Sequence, residues 1–312
     1  MDSTPRWAVI DLGTNTFHLL IVEPDGAKGF GVLHREQRFV KLALDGIEWI
    51  SAEAWQRAME ALEVFDMYID AYGCEKVRAL GTAGLRTAGN ATAFLQAIRE
   101  KIGIEVEVID GQREAELIFL GTRQAIPMQP GQLYLIMDIG GGSVEFILCD
   151  HEQAFWAESF PLGVAVLRRR FHRHEPIQPE EERALRAFLD EQLAPLRRVL
   201  TQWHDSPQLI GASGTFDVLA HAFAHRRLSA HGWAIARAAI RPFARKVCGA
   251  TLAQRLTMKE VPAKRADMIP VALILLEYVL DMLPGGEEVL VSAFALKEGV
   301  LAELLEAYHQ KR

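Results

Sequence analysis

Asp11-Leu12-Gly13-Thr14-Asn15-Thr16-Phe17-His18-Leu19-Leu20-Ile21-Val22 occurs a second time, in altered form, as Asp138-Ile139-Gly140-Gly141-Gly142-Ser143-Val144-Glu145-Phe146-Ile147-Leu148-Cys149. Each copy is an apolar strand ending in Asp, a turn of small residues, and a second apolar strand. A repeat of one supersecondary unit at so long an interval predicts two similar domains rather than a solenoid. The turns carry the chemistry. Glycines 140 to 142 have no Cβ, so an anion can approach their backbone N–H groups closely. Thr14, Thr16 and Ser143 add hydroxyl donors. The carboxylates Asp11 and Asp138 lie beside these turns and would repel a phosphate unless a cation sat between them. Magnesium suits that place, because it takes one or two carboxylates and keeps waters and phosphate oxygens as its other ligands. One copy alone would read as an ordinary glycine-rich hairpin; two copies with Asp at the same place favour phosphate and metal binding.

Working outward, strand and helix alternate through the first half. Apolar residues at helical spacing predict a helix over 54–72, a strand over 77–80, a helix after Asn90 or Thr92 that Gly103 ends, a strand over 104–109, and a helix from Arg113. Residues 126–131, Ile-Pro-Met-Gln-Pro-Gly, read as the linker. The second half is mostly helical, over 163–172, 180–203, 215–223, 234–247, 265–283 and 296–310, with strands near 153–160, 208–211 and 288–291.

Three further segments stand beside small-residue loops. Glu114 falls in the first turn of a helix, where negative charge is favoured. It reads either as a routine first-turn glutamate or as a base that could take a proton from water. Arg86, in Gly81-Thr82-Ala83-Gly84-Leu85-Arg86, reads equally as a phosphate clamp and as a surface arginine. Gly211-Ala212-Ser213-Gly214-Thr215 joins a strand to a helix N-terminus, a geometry that suits an anion but is a weak signal alone. The run Arg168 to His174 reads as a solvated helix end.

Composition sets the outer limits. Of 312 residues, 50% are hydrophobic and 24% charged, which excludes a disordered or collagen-like chain. Three dispersed cysteines with no CxxC pair exclude a disulfide framework and a structural zinc site, and fit a reducing, cytoplasmic setting. Cys149 and Cys248 lie in apolar contexts and read as packing residues. No charged-then-apolar leader opens the chain, and the run Val271 to Leu276 is far too short to span a membrane. Net charge is −7, yet residues 161–270 carry +8 and the remainder −15. A basic second half suits a polyanion. No recognition helix, zinc finger or aromatic platform points to nucleic acid.

The ordered segments Asp11–His18, Gly81–Asn90, Gly111–Ile118, Asp138–Glu145, Ser159–Gly163, Gly211–Thr215 and Arg265–Asp267 with Ile269-Pro270 together resemble the exopolyphosphatase / guanosine pentaphosphate phosphohydrolase family, within the actin–Hsp70–sugar kinase superfamily. That resemblance implies two actin-like (ribonuclease H-like) α/β domains around a central cleft. The expected division is 1–125 and 126–295, with a C-terminal helix (296–312) packing back on the first domain. It also implies the short form that lacks a further C-terminal helical module. By the same resemblance Glu114 would be the general base and Arg86 would touch the transferred phosphoryl group. Asp11, Asp138 and Glu145 would hold Mg²⁺ or another hard divalent cation. Gly13, Thr14, Asn15, Thr16, Gly140, Gly141, Gly142, Ser143, Gly214 and Thr215 would bind phosphates. The implied substrate is inorganic polyphosphate or pppGpp, with a homodimer possible and no nucleic-acid or membrane partner. The chain departs from the family pattern at Arg113, Glu116 and Val144. A superfamily kinase and a non-catalytic polyphosphate or nucleotide sensor are the rival readings.

Overall fold

The computed structural model describes residues 4–25 and 29–310. The strands are β1 (Trp7–Leu12), β2 (Thr16–Asp25), β3 (Gly29–Phe39), β4 (Lys76–Gly81), β5 (Val106–Val108), β6 (Tyr134–Ile139), β7 (Val144–Cys149), β8 (Ala154–Phe160), β9 (Gln208–Ala212), β10 (Ala224–Arg227), β11 (Gly232–Ala236) and β12 (Glu288–Ser292). The helices are α1 (Ala52–Tyr72), α2 (Ala83–Thr87), α3 (Ala91–Ile102), α4 (Gly111–Ala125), α5 (Val164–Phe171), α6 (Pro179–Gln192), α7 (Ala194–Leu200), α8 (Gly214–Phe223), α9 (Arg237–Cys248), α10 (Leu252–Arg255), α11 (Ile269–Met282) and α12 (Leu296–His309). The chain divides into two compact units, 1–121 with 296–312, and 122–295; the division falls within α4.

The first unit holds a five-stranded sheet in the order β3-β2-β1-β4-β5. β1, β2 and β3 form an antiparallel meander, while β4 runs parallel to β1 and β5 parallel to β4. Helix α1 begins at Ser51, whose hydroxyl accepts from the Ala54 N–H, and ends at Gly73 in the left-handed region. Its buried stripe of Ala54, Ala58, Leu62, Phe65 and Ile69 joins Ile10, Leu12, Phe17 and Leu19 in one core. Helix α12 is fastened to the same unit. Gly299 lies so close to α4 that a Cβ there would stand 1.9 Å from the Leu117 carbonyl oxygen. Trp7 and Tyr308 meet edge to face with ring centroids 5.4 Å apart.

The second unit holds a seven-stranded sheet, β10-β11-β12-β9-β6-β7-β8. Its portion β8-β7-β6-β9-β12 repeats the first sheet's plan: an antiparallel meander, then two parallel strands. The duplication legible at residues 11 and 138 is therefore a duplication of topology. β6 and β7 are buried along their whole length, which is why both read as apolar runs interrupted by Asp138 and Glu145 alone. Helix α11 is buried nearly all round, as its composition requires.

Some expected boundaries shift. The single helix expected over 180–203 is two, broken at Leu193 before Pro195, whose ring favours the start of a helix. The strand expected over 104–109 is only three residues long. β3 and β10 carried no sequence reading, being polar outer strands without a clean apolar alternation, and residues 234–236, expected to open the helix over 234–247, instead belong to β11. The Arg168–His174 run is not simply solvated: His172 is buried, with its ring 3.3 Å from Glu175, and Arg168 donates to the Asp267 carbonyl. Among the described residues no helix is long and apolar enough to cross a membrane.

Candidate active site

In the first unit the loop 13–15 links β1 to β2. The Gly13 N–H donates to the Thr16 carbonyl, and a Cβ on Gly13 would stand 2.9 Å from that oxygen, so the turn closes only with glycine. Thr14 is buried, and its hydroxyl has no hydrogen-bond partner among the described residues. A buried hydroxyl left so is a place for a ligand oxygen. Asp11, beside the loop, faces His18 across the strand pair. Burial pushes the Asp11 carboxyl up to about 6, with Lys297 of α12 pulling it down and Glu298 adding to the rise.

Arg86 and Glu114 are brought together. Arg86 lies on the short helix α2 after β4; its Nη1 donates to Glu114 Oε2 at 2.6 Å and to the Ile109 carbonyl at 2.9 Å. Glu114 is buried in the first turn of α4. The arginine and the helix N-terminus both favour negative charge on it. The α2 loop also touches the 13–15 loop: a Cβ on Gly84 would stand 3.0 Å from Thr14 Oγ1. Asp11, Thr14, Arg86 and Glu114 thus belong to one unit, and three of them to one small neighbourhood. The unusual pair Arg113 and Glu116 has a local explanation. Arg113 grips Glu303 of α12 through Nη2, at 2.7 and 2.6 Å, and meets Glu116 at 3.3 Å. These residues fasten α4 to α12.

In the second unit the loop 140–143 links β6 to β7. The N–H groups of Gly163, Val164 and Ala165, where α5 begins, donate to the carbonyls of Gly142, Gly140 and Gly141. Three loop carbonyls are thereby satisfied by one helix start. Gly163 permits the approach, since a Cβ there would stand 2.3 Å from the Gly141 backbone. Asp138 and Glu145 are cross-strand partners, both buried, so their side chains share one face of the sheet. Ser159 on β8 is next in the same row and donates to Glu145 Oε1 at 2.7 Å. Two adjacent buried carboxylates fit a hard divalent cation that takes its remaining ligands from water and phosphate. Among the described residues no group of three or more His, Cys, Asp or Glu is placed to hold a metal.

At the third loop Ser213 adopts φ 65, and the Arg265 guanidinium fills the space beside Gly214, where a Cβ would stand 1.7 Å from Nη1. Burial lowers the Arg265 pKa while Asp217 opposes the shift. Thr215 is buried at the start of α8. Sequence reading quoted Ser159–Gly163 and Arg265–Asp267 as matching segments but gave no supporting role to Ser159, to the Gly163–Ala165 donors or to Arg265 over Gly214, and it missed the segment after β3. Only the glycines left a trace, because a contact of this kind depends on a partner distant in sequence. The Cys149 and Cys248 thiols are both pushed up to about 12 by burial, consistent with packing roles.

Two actin-like α/β units, each with a glycine-turn hairpin beside a carboxylate, define a phosphate-handling class of protein. The model of the Ppx/GppA phosphatase family matches residues 20–308, and the chain belongs to that family. A crystal structure of an exopolyphosphatase from Cytophaga hutchinsonii is 37% identical, with TM-score 0.90, covering 97% of this chain and 98% of that one. A crystal structure of the Aquifex aeolicus Ppx/GppA family member is 22% identical with TM-score 0.79, over 98% and 99% of the two chains, and supports the fold. A guanosine-5'-triphosphate,3'-diphosphate pyrophosphatase from Photobacterium profundum is 29% identical over 97% of this chain. The chain spans 60% of that relative's length.

Proposed function

We propose that the protein is a cytoplasmic, divalent-cation-dependent phosphoanhydride hydrolase that releases terminal orthophosphate from inorganic polyphosphate. The observation that carries this reading is the 2.6 Å pair of Arg86 with Glu114 in the unit whose phosphate loop leaves the buried Thr14 hydroxyl unmatched. In this reading Glu114 accepts a proton from the attacking water at a carboxylate oxygen and orients that water in line with the phosphorus. Arg86 orients Glu114 through their 2.6 Å contact and turns part of its guanidinium to the transferred phosphoryl group. Apart from the Gly13 and Gly140 N–H groups, which close the two turns, the N–H groups and hydroxyls of residues 13–16 and 140–143, with Gly214 and Thr215, bind phosphate oxygens. Asp138 and Glu145 would hold Mg²⁺ or its waters, and Asp11 keeps the metal-binding role that the family resemblance implies for it. When bound, the cation would neutralise charge on the phosphoryl oxygens. The basic stretch 161–270 would attract the rest of a polyanionic chain.

The Cytophaga relative favours polyphosphate; the Photobacterium relative favours pppGpp, cut at its 5′-terminal phosphate, as the second reading. Phosphate release from polyphosphate of several lengths and from pppGpp, with and without Mg²⁺, separates the two. Release from polyphosphate at the higher kcat/KM is expected. A strong preference for pppGpp reverses the choice, and consumption of ATP only with an acceptor present would mark a kinase.

A further inference from the structure

The twelve-residue connection from β3 to α1, residues 40–51, has no helix or strand of its own, yet its backbone is held at both ends. Connections of this length in compact domains are usually functional. At its start the N–H groups of Lys41 and Leu42 donate to the carbonyls of Asn15 and Thr14, at 2.9 and 2.8 Å. Both acceptors lie in the first phosphate loop. At its finish Asn90 pairs with Ile50 in both directions: Asn90 Nδ2 donates to the Ile50 carbonyl and Asn90 Oδ1 accepts from the Ile50 N–H, each at 2.9 Å. The Gly89 N–H donates to the Glu48 carbonyl, and the Trp49 ring lies over Gly89, where a Cβ would stand 3.5 Å from it. Gly89 and Asn90 directly follow the helix that carries Arg86.

The segment therefore runs from the phosphate loop to the arginine loop. A long side chain from outside it fixes the first contact. Arg57, on α1, donates from Nε to the Val40 carbonyl at 2.9 Å and from Nη2 to the Lys41 carbonyl at 3.3 Å. Lys41 is held at φ 50, a left-handed conformation that a lysine adopts only where its surroundings over-determine it. Val40, Leu42 and Ile50 are buried in the same core as Leu12, Phe17, Leu85 and Ala88, so the connection has little room to shift as a whole.

We propose that residues 40–50 are a tie that sets the first phosphate loop in register with Arg86, and that Arg57 and Asn90 are its positioning residues. With their carbonyls turned to the tie, Thr14 and Asn15 keep the rest of the loop presented to an anion. Neither Arg57 nor Asn90 needs to touch substrate. The kinetic part of this proposal rests on the phosphohydrolase reading; its structural part does not.

Two measurements on the full chain test it. Amide hydrogen exchange in Asn90→Ala is read at Lys41 and Leu42, at the opposite end from the substitution. Exchange there should quicken about tenfold if the segment acts as one tie. Fast exchange confined to 48–50 and 89–91, with Lys41 and Leu42 at the wild-type rate, overturns the proposal. If Asn90→Ala does not fold, Asn90→Asp, which keeps the acceptor and loses the donor, takes its place in the same comparison. For phosphate release from polyphosphate, Arg57→Met should raise KM about tenfold with kcat within about threefold, and Arg57→Lys should recover most of the loss. A lowered melting temperature with KM and kcat unchanged makes Arg57 merely structural and sinks its positioning role. A wild-type protein with no turnover on any substrate refutes the proposed activity, and the exchange result still decides the tie.

Discussion

The two hairpin loops, 13–15 and 140–143, repeat one strand–turn–strand pattern and are braced by different means. In the second unit three loop carbonyls accept from one helix start, at Gly163, Val164 and Ala165. In the first, two carbonyls accept from an irregular segment that a lysine enters at positive φ. The residue opposite the strand-end aspartate differs as well: Glu145 faces Asp138, whereas His18 faces Asp11. The second hairpin thus has the carboxylate pair suited to a cation, and the first lies beside the Arg86–Glu114 pair. A duplicated element can keep its turn and divide its chemistry, because turn geometry is local and the groups around it come from elsewhere.

Glu114→Gln gives the largest test of that division. Phosphate release should fall about a thousandfold, the scale of a lost general base, with circular dichroism unchanged and the melting temperature lowered by loss of the charged Arg86 pair. Retained turnover would move the chemistry away from the first unit. Gly163→Ala should come next. The added methyl would meet the Gly141 backbone at 2.3 Å, so the second loop must move; a loss of about 2–4 kcal/mol in denaturant unfolding is expected, and substrate affinity should fall with it. A near-neutral result would mean that the helix start is not a rigid brace.

Glu145→Gln keeps the shape of the side chain and removes its charge. The Mg²⁺ concentration needed for half-maximal activity should rise about 10–100-fold, whereas His18→Gln in the first hairpin should leave the metal requirement where it was. Equal shifts in both would erase the proposed difference. The smallest effect is in pH. Burial lowers the His172 pKa, with Glu175 opposing and Arg255 and Arg168 reinforcing the shift. A histidine kept neutral by the fold contributes stability that is full above its unfolded pKa and is lost as pH falls through its folded one. Asp11 carries the opposite sign: with its carboxyl pushed up to about 6, the folded form gains relative to the unfolded as pH falls toward 4. Hydrogen exchange at pH 7.5 and 5.5 should therefore show α5, which ends beside His172, loosening first on acidification, while β1, which carries Asp11, becomes better protected. Loosening of β1 alone would contradict the assignment.

The hairpins were legible because each is contiguous: an apolar strand, a turn needing glycine, and a second strand lie within twelve residues. The cross-strand pairing of Asp138 with Glu145 follows from the turn length once the hairpin is accepted. Glu114 was legible as a first-turn residue, but its arginine lies 28 positions earlier, and nothing in the spacing joins them. Arg113 and Glu116 looked like departures in sequence and acquire a reason only from Glu303, 190 positions beyond Arg113. Arg57 gave no signal and Asn90 read only as a helix start, since both act on backbone carbonyl and N–H groups that every residue type offers.

Sequence alone determined the duplicated strand–turn–strand units, the α/β class and the small-residue loops, because hydrophobic period and glycine placement act over a few neighbouring residues. Tertiary structure decided which charge meets which. Arg86 on Glu114, Arg113 on Glu303, and the 40–50 segment on Thr14 and Asn15 are contacts between distant parts of the chain, and they exist only once the core has brought those parts together.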